Sequence, residues 1–307
     1  MNTNLLANPD VSVVILTKNS APTIVACLES VIEQKPGEIL VVDGVSTDAT
    51  PDLVKRHGIR MITDPSMSLG ESRQLGVETV RGVYVMFVDS DVVLTPSCIR
   101  TMRRELESFG WAGIHAKLLS AENMTYWQKA EQEGFSRYYG RAGPRDRIDT
   151  IAALFRRAVL LKYPFDANLR ESCEDIDLCR RLVETKQKLG VSNAVAYHYH
   201  RREFHAFAKQ RFRNGLGDAR FGFKYRETRV FIDPLLTVIS RIVRNMLTKR
   251  IKFVPYWFAG GLAQFLGVLA GLPRARRSLV DSPELSHASG LRSCTGDLPK
   301  VQRRTGN

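Results

Sequence analysis

Two carboxylates one residue apart, Asp89 and Asp91, close the apolar run Val83 to Val88, which is short enough to be a buried strand. Charge is costly to bury, so both carboxylates are expected just outside the sheet, where two fixed acidic oxygens make a seat for a divalent cation. Taken alone, Asp89-Ser90-Asp91 reads more readily as a polar turn, so the neighbours must decide. A second acidic group runs from Glu171 to Asp177, with Glu174 and Asp175 adjacent and Arg180 and Arg181 following. It suits a helix start, where the dipole stabilises carboxylates. His198 follows a short apolar strand, Ala194 to Tyr197, with Arg201 three residues on. Such an imidazole either completes a cation's coordination or is a partly buried, hydrogen-bonded histidine.

The elements that must position these residues follow from periodicity. Val11 to Leu16 reads as a buried strand ending at Thr17-Lys18-Asn19, and Glu38 to Val42 as a second ending at Asp43-Gly44. Between them Ile24, Cys27, Leu28 and Ile32 recur at helical spacing, predicting a helix over about 23–33 that Pro36-Gly37 breaks. Thr50 and Pro51 read as N-cap and first residue of a short helix that Gly58 stops. A third strand, Ile59 to Thr63, ends at Asp64, and a helix over about 69–80 precedes Gly82 and the strand carrying Asp89. Residues 95–109 read as a helix and 111–118 as a strand, whereas 119–148 has no firm pattern. Strands alternating with helices predict a doubly wound, mostly parallel α/β sheet. Thr17, Asn19, Asp43, Asp64, Asp89 and Asp91 then share the C-terminal edge, where such sheets bind nucleotides. Asp64 reads as a plain loop residue. As a set the others do not, because strand ends have no structural reason to be acidic repeatedly.

Val11 to Asn19, Val42 to Asp48, Arg73 to Gly76 and Asp89-Ser90-Asp91 resemble, in order and spacing, the family 2 glycosyltransferases of GT-A fold. Leu16 stands where many members have proline, Val45 where many have glycine or aspartate, and Gln74 where many have asparagine. The resemblance implies a Rossmann-like GT-A catalytic domain over about 9–225, with a donor half to about 95 and an acceptor half beyond. It implies an inverting transferase that takes a sugar from a nucleotide-diphospho-sugar. Thr17 and Asn19 would border the base and ribose, Asp43 would accept from the base, and Arg73 would approach the diphosphate or sugar. Asp89 would hold ribose or sugar hydroxyls, and Asp91 would ligate Mg2+ or Mn2+. Residues 150–182 also resemble the family, which makes Asp175 the general base and Glu174 a phosphate or acceptor contact. His198 with Arg201 matches the His-x-x-Arg spacing by which relatives in the wider fold complete a metal site, with Arg201 then a phosphate or acceptor contact. Gln210-Arg211-x-Arg213 resembles the Gln-x-x-Arg element of processive members, which makes Gln210 and Arg211 phosphate or acceptor contacts, but Asn214 replaces the tryptophan expected there, which argues against a processive polymerase. Two other readings stay open, a catalytically silent nucleotide-sugar-binding scaffold at a membrane and a nucleotidyltransferase. The latter usually carries a Gly- and basic-rich loop where this chain has Thr17 to Pro22.

The net charge of +13 is unevenly spread. Residues 1–200 carry 24 Lys and Arg against 25 Asp and Glu, and residues 201–307 carry 21 against 7. The basic third has no zinc-finger spacing and interleaves its charges with long aliphatics rather than stacking aromatics, so anionic lipid is the expected partner and nucleic acid is not. After Asp233-Pro234, Leu235, Leu236, Ile239, Ile242, Val243, Met246 and Leu247 share a face with Arg241, Arg244 and Lys249 off it, the pattern of an interfacial helix. Val254 to Leu272 is free of charge and just long enough to span a bilayer. Pro255, Gly260, Gly261, Gly267 and Gly271 interrupt it, Gln264 sits at its centre, and basic residues flank both ends. A re-entrant or membrane-surface hairpin is therefore expected in preference to a span or a buried core helix. A membrane-associated region over 226–279, a disordered tail over 280–307, a lipid-linked or glycan acceptor and a place on the cytoplasmic face complete the expectation. The five cysteines, odd in number and without CxxC spacing, suit reduced thiols.

Overall fold

The computed structural model describes residues 7–66, 68–120, 124–200, 202–247 and 251–280; Arg201 and the expected tail lie outside the described residues. The chain divides into two compact units, one ending at Phe207 and the other beginning at Ala208.

The first unit opens as the periodicity predicts, with β1 (Asn8–Thr17), α1 (Ile24–Glu33), β2 (Pro36–Asp43), α2 (Thr50–Arg56), β3 (Arg60–Thr63), α3 (Leu69–Thr79) and β4 (Tyr84–Asp89). There follow β5 (Val92–Leu94), α4 (Cys98–Phe109), β6 (Gly113–Ser120), α5 (Tyr126–Tyr139), β7 (Gly143–Arg145), β8 (Ala152–Arg156), α6 (Arg157–Lys162), α7 (Glu174–Glu184) and β9 (Leu189–His198). Among the described residues all nine strands join one sheet in the order β3-β2-β1-β4-β8-β6-β9-β5, with β7 on β9. β1 to β4 are parallel to one another, β8 runs against β4 and β6, and β6 is parallel to β9. After β3 the chain returns across β2 and β1 to lay down β4, so the order reverses between β1 and β4. Open sheets form their ligand crevice at the carboxyl ends of such a pair.

Register aligns that edge. Thr17 pairs with Asp43, Asp43 with Thr63, and Leu16 with Asp89. Successive strand residues feed opposite faces, and both are buried: Val13, Ile15, Met86 and Val88 enter one cluster, Val14, Leu40, Val42, Val85 and Phe87 the other. Fully burying each such side chain contributes about 1.5–3 kcal/mol, and it fixes the strand ends that carry the acids. A Cβ on Gly76 would lie 2.5 Å from Val14 Cγ1, so α3 rests directly on β1. Arg73, one turn nearer the helix start, is thereby held near the carboxyl edge.

Some local features differ from the expectation. Residues 119–148 hold α5, opened by a capping box between Thr125 and Gln128. Thr50 is not the cap of α2; Asp48 Oδ1 accepts its N–H at 3.0 Å, and Thr50 Oγ1 accepts the Ser20 N–H.

In the second unit lie most of α8 (Phe204–Lys224), a 3₁₀ turn Thr228–Phe231, α9 (Asp233–Leu247), a second turn Ile251–Phe253, and α10 (Val254–Val280). α10 is one helix, and its glycines do not fold it into the expected hairpin. They are points of close approach: a Cβ on Gly267 would lie 2.0 Å from Phe212 O, and one on Gly261 1.8 Å from Val238 Cγ2. Gln264 is also accommodated, donating to Asp218 Oδ2 at 2.6 Å with both residues buried. By length and composition, Ile251–Pro273 is long and apolar enough to cross a membrane.

Candidate active site

Loops after β1 and β2 are laced together at the carboxyl edge. Asn19, in the left-handed region at φ 52°, receives the Thr47 N–H on Oδ1 at 2.8 Å and donates its own N–H to Ser46 Oγ. Asp43 accepts from Ser46 through both oxygens, from Oγ at 2.5 Å and from N at 2.9 Å. The two side chains assigned to the donor base thus brace the loop between β2 and α2, in which Val45 also takes a positive φ of 61°. A β-branched residue rarely adopts that conformation, so the bracing holds strain in place. Ser20 Oγ lies 2.8 Å from Ser90 Oγ, tying the same loops to Asp89-Ser90-Asp91. Thr17 is buried, and its Oγ1 has no hydrogen-bond partner.

Arg73 bridges two elements. Its Nη1 donates to Glu174 Oε1 at 2.5 Å and its Nη2 lies 3.8 Å from Asp89 Oδ1. Arg73 Nε and Glu174 Oε2 are buried without a partner. Native structures leave few such groups, and at a carboxyl-edge crevice they mark a surface shaped for a polar ligand.

Asp175 follows Glu174 at the start of α7, entered through Cys173 at φ 69°. Asp177, by contrast, is fully buried and held by Arg181 at 2.8 Å. Burial raises the Asp175 carboxyl to about 8, with the charges of Glu174 and Asp149 adding to it and Arg73 and Arg147 opposing. Burial likewise raises Asp89 to about 7, against the pull of Arg73 and with the push of Asp91. Such displacement gathers at functional sites.

Asp91 faces the end of β9. His198 Nε2 lies 3.4 Å from Asp91 Oδ1, while Tyr199 donates its N–H to Asp91 O. Burial works to lower the His198 pKa, but the carboxylates of Asp91, Asp89 and Glu131 together outweigh it and the net shift is upward. His198 Nδ1 is buried and unpartnered. His200 belongs to α5 instead: its Nε2 meets Gln132 Oε1 at 2.9 Å, and Glu131 Oε2 lies 3.8 Å from its Nδ1. Of the two histidines, His198 is therefore the one set beside Asp91. In the second unit Gln210 donates to Asn214 Oδ1, and Arg211 donates to the Tyr256 hydroxyl at 2.8 Å.

One acid went unread in the sequence. Asp149 stands just before β8, and since β8 runs against β4, its leading end reaches the edge that β4 reaches with its tail; Asp89 N donates to Ile151 O at 2.9 Å. Asp149 Oδ1 is 2.6 Å from Nε2 of the fully buried His115. Burial alone would raise its carboxyl, but His115 and Tyr139 hold it below the usual range. Its charge acts on Arg73, Asp89 and Asp175 alike. Reading 152–156 as an antiparallel strand would have found it.

Residues 12–163 match the family model for glycosyl transferase family 2. The succinoglycan biosynthesis protein ExoO of Rhizobium meliloti (strain 1021) is 36% identical over 108 residues, 33% of this chain and 31% of that protein. Glycosyltransferase GlyA of Streptococcus pneumoniae serotype 4 (strain ATCC BAA-334 / TIGR4) is 30% identical over 112 residues, 34% of this chain and 16% of that protein. The chain thus matches less than a third of the length of either relative. The crystal structure of GalNAc-T7 with UDP, GalNAc and Mn2+ covers 66% of this chain and 45% of its own at a TM-score of 0.52 and 13% identity, a likeness of fold. Residues 12–163, about half of the chain, thus carry the match to glycosyl transferase family 2, and the strand order and the structural likeness give that part the GT-A fold.

Proposed function

We propose that the chain is an inverting glycosyltransferase that moves a sugar from a nucleotide-diphospho-sugar to an acceptor hydroxyl or phosphate. The observation that carries this reading is the meeting of Asp175, its basicity raised, with the buried Arg73–Glu174 pair and Asp89 at the switch point of the sheet. Asp175 takes the acceptor's proton as the acceptor oxygen bonds to the anomeric carbon. The bond from that carbon to the β-phosphate oxygen breaks, and the nucleoside diphosphate leaves with the electron pair. Attack from the far face inverts the anomeric centre, and a base so placed is worth about 10²- to 10⁴-fold in rate.

Donor binding falls to Thr17 Oγ1 and Arg73 Nε, both buried without a partner, and to Asp89 at the end of β4, with Asn19 and Asp43 shaping the loop that takes the base. A divalent cation fits this donor set. One carboxylate oxygen of Asp91 and the imidazole of His198 are adjacent, an oxygen and nitrogen pair that manganese accepts and magnesium tolerates less well. Among the described residues no cluster of three or more His, Cys, Asp or Glu could hold a metal, so diphosphate oxygens would supply further ligands. When bound, the cation stabilises the charge that develops on the departing phosphate. The acceptor is read as lipid-linked, with α9 and α10 seating the chain on an anionic membrane surface at the cytoplasmic face; their exposed apolar side chains and the basic C-terminal third support this.

A thermal-shift screen of nucleoside diphosphates and their sugars, with and without Mn2+, tests the reading. Stabilisation by one base, enhanced by Mn2+, is expected; no stabilisation by any would overturn the donor site.

A further inference from the structure

α9 and α10 each leave a row of large apolar side chains facing outward. On α9 they are Leu235, Leu236, Ile239, Val243 and Met246; on α10 they are Phe258, Leu262, Leu266 and Leu269, spaced three or four apart along the helix. Soluble chains rarely expose contiguous apolar surface on this scale unless it meets a partner. The charge around the rows indicates which partner. Arg244 on α9 and Lys252 in the turn before α10 are exposed, Arg241 lies 3.9 Å over the Trp257 ring, and residues 201–307 carry 21 basic against 7 acidic residues. Long aliphatic tips bordered by cations complement hydrocarbon beneath anionic headgroups.

The packing also sets the orientation. The remaining face of α10 is occupied: Gly267 and Gln264 rest on Phe212 and Gly215 of α8, Gly271 on Leu216 and Ala219, and Gly261 on α9. Along these contacts α8 carries Arg211, Arg213, Asp218 and Arg220. A spanning α10 would draw those charges into hydrocarbon, where ionised side chains are costly. The row from Phe258 to Leu269 moreover rises only about 16 Å at ~1.5 Å per residue, roughly half of a ~30 Å bilayer core.

Resting on the membrane seat of the reading above and adding its geometry, we propose that α9 and α10 lie flat in one leaflet of an anionic membrane, with both ends of α10 on the same side. The helix that is long enough to cross is held in the plane by its packing on α8.

The test uses the full chain with Cys294→Ser as background, in which the remaining Cys27, Cys98, Cys173 and Cys179 are buried, and one added cysteine from Lys252→Cys or Pro273→Cys, with the background chain as the labelling blank. Protein is added outside sealed vesicles of phosphatidylcholine with phosphatidylglycerol, floated, and treated with a membrane-impermeant maleimide. Both positions should label without detergent, and flotation should fall roughly tenfold or more on pure phosphatidylcholine. A chain with Ile239→Asp and Leu262→Asp should lose flotation while keeping its thermal response to nucleoside diphosphate, which shows that it is folded. Protection of either cysteine until detergent is added would establish a span and overturn the proposal. Failure of the parent chain to float with phosphatidylglycerol would overturn it too, and an intact nucleotide response would then leave the donor site standing.

Discussion

Arg73 on α3 and Glu174 at the start of α7 form a buried pair across 101 positions of sequence, Nη1 to Oε1 at 2.5 Å. Neither charge has solvent to fall back on, so each depends on the other. Removing Arg73 leaves Glu174 uncompensated, and removing Glu174 leaves Arg73 only the longer contact with Asp89 Oδ1 at 3.8 Å, at a cost of up to about 3–5 kcal/mol. Arg73→Met or Glu174→Leu alone should lower stability by that order, and the double variant should recover much of it. Denaturant unfolding in a double-mutant cycle measures the coupling; additive losses would mean that the pair is not a unit.

Asp149 should set the basicity of its neighbour. Its negative charge raises Asp175, so Asp149→Asn should move the acidic limb of the pH profile for donor turnover to lower pH. A lower rate with an unmoved limb would assign Asp149 to holding His115 alone.

Asp175 should cost stability at alkaline pH. Its carboxyl is raised from 3.8 to about 8 in the folded chain, so the folded state keeps a proton that the unfolded state gives up. That contribution is complete below the unfolded value and is lost as pH rises through about 8. Asp175→Asn cannot ionise and should raise Tm relative to the parent chain above about pH 8, with little difference below about pH 4. An equal gap at both ends, read by calorimetry without nucleotide, would contradict the assignment.

His198 and His200 should separate in a metal titration. His198→Ala should weaken the Mn2+-dependent part of nucleotide stabilisation by about tenfold or more. His200→Ala breaks its contact with Gln132 and should lower stability while leaving that dependence in place. The reverse pattern would move the metal seat to α5.

The parallel half of the sheet was legible because each βα unit repeats one pattern, an apolar run followed by a polar turn, and the acids at the run ends share an edge as soon as the strands are parallel. β8 broke that logic by reversing direction, so it is the residue before the strand, Asp149, that reaches the site. Asn19 and Asp43 were read as facing a base, yet their side chains are engaged by Thr47 and Ser46, contacts that depend on how two loops meet. The glycines of α10 looked like breaks because helix propensity is local. Their use as contact points on α8 and α9 appears only when the helices are packed.

Asp175 as the proton acceptor is the claim on which the rest turns. The direct measurement compares the parent chain with Asp175→Asn, using the nucleotide sugar that stabilises the protein most, with calorimetry for its binding and nucleoside diphosphate release for turnover. The account predicts donor affinity within about threefold of the parent and turnover down by about 10²- to 10⁴-fold. Turnover close to that of the parent, with binding intact, would contradict it.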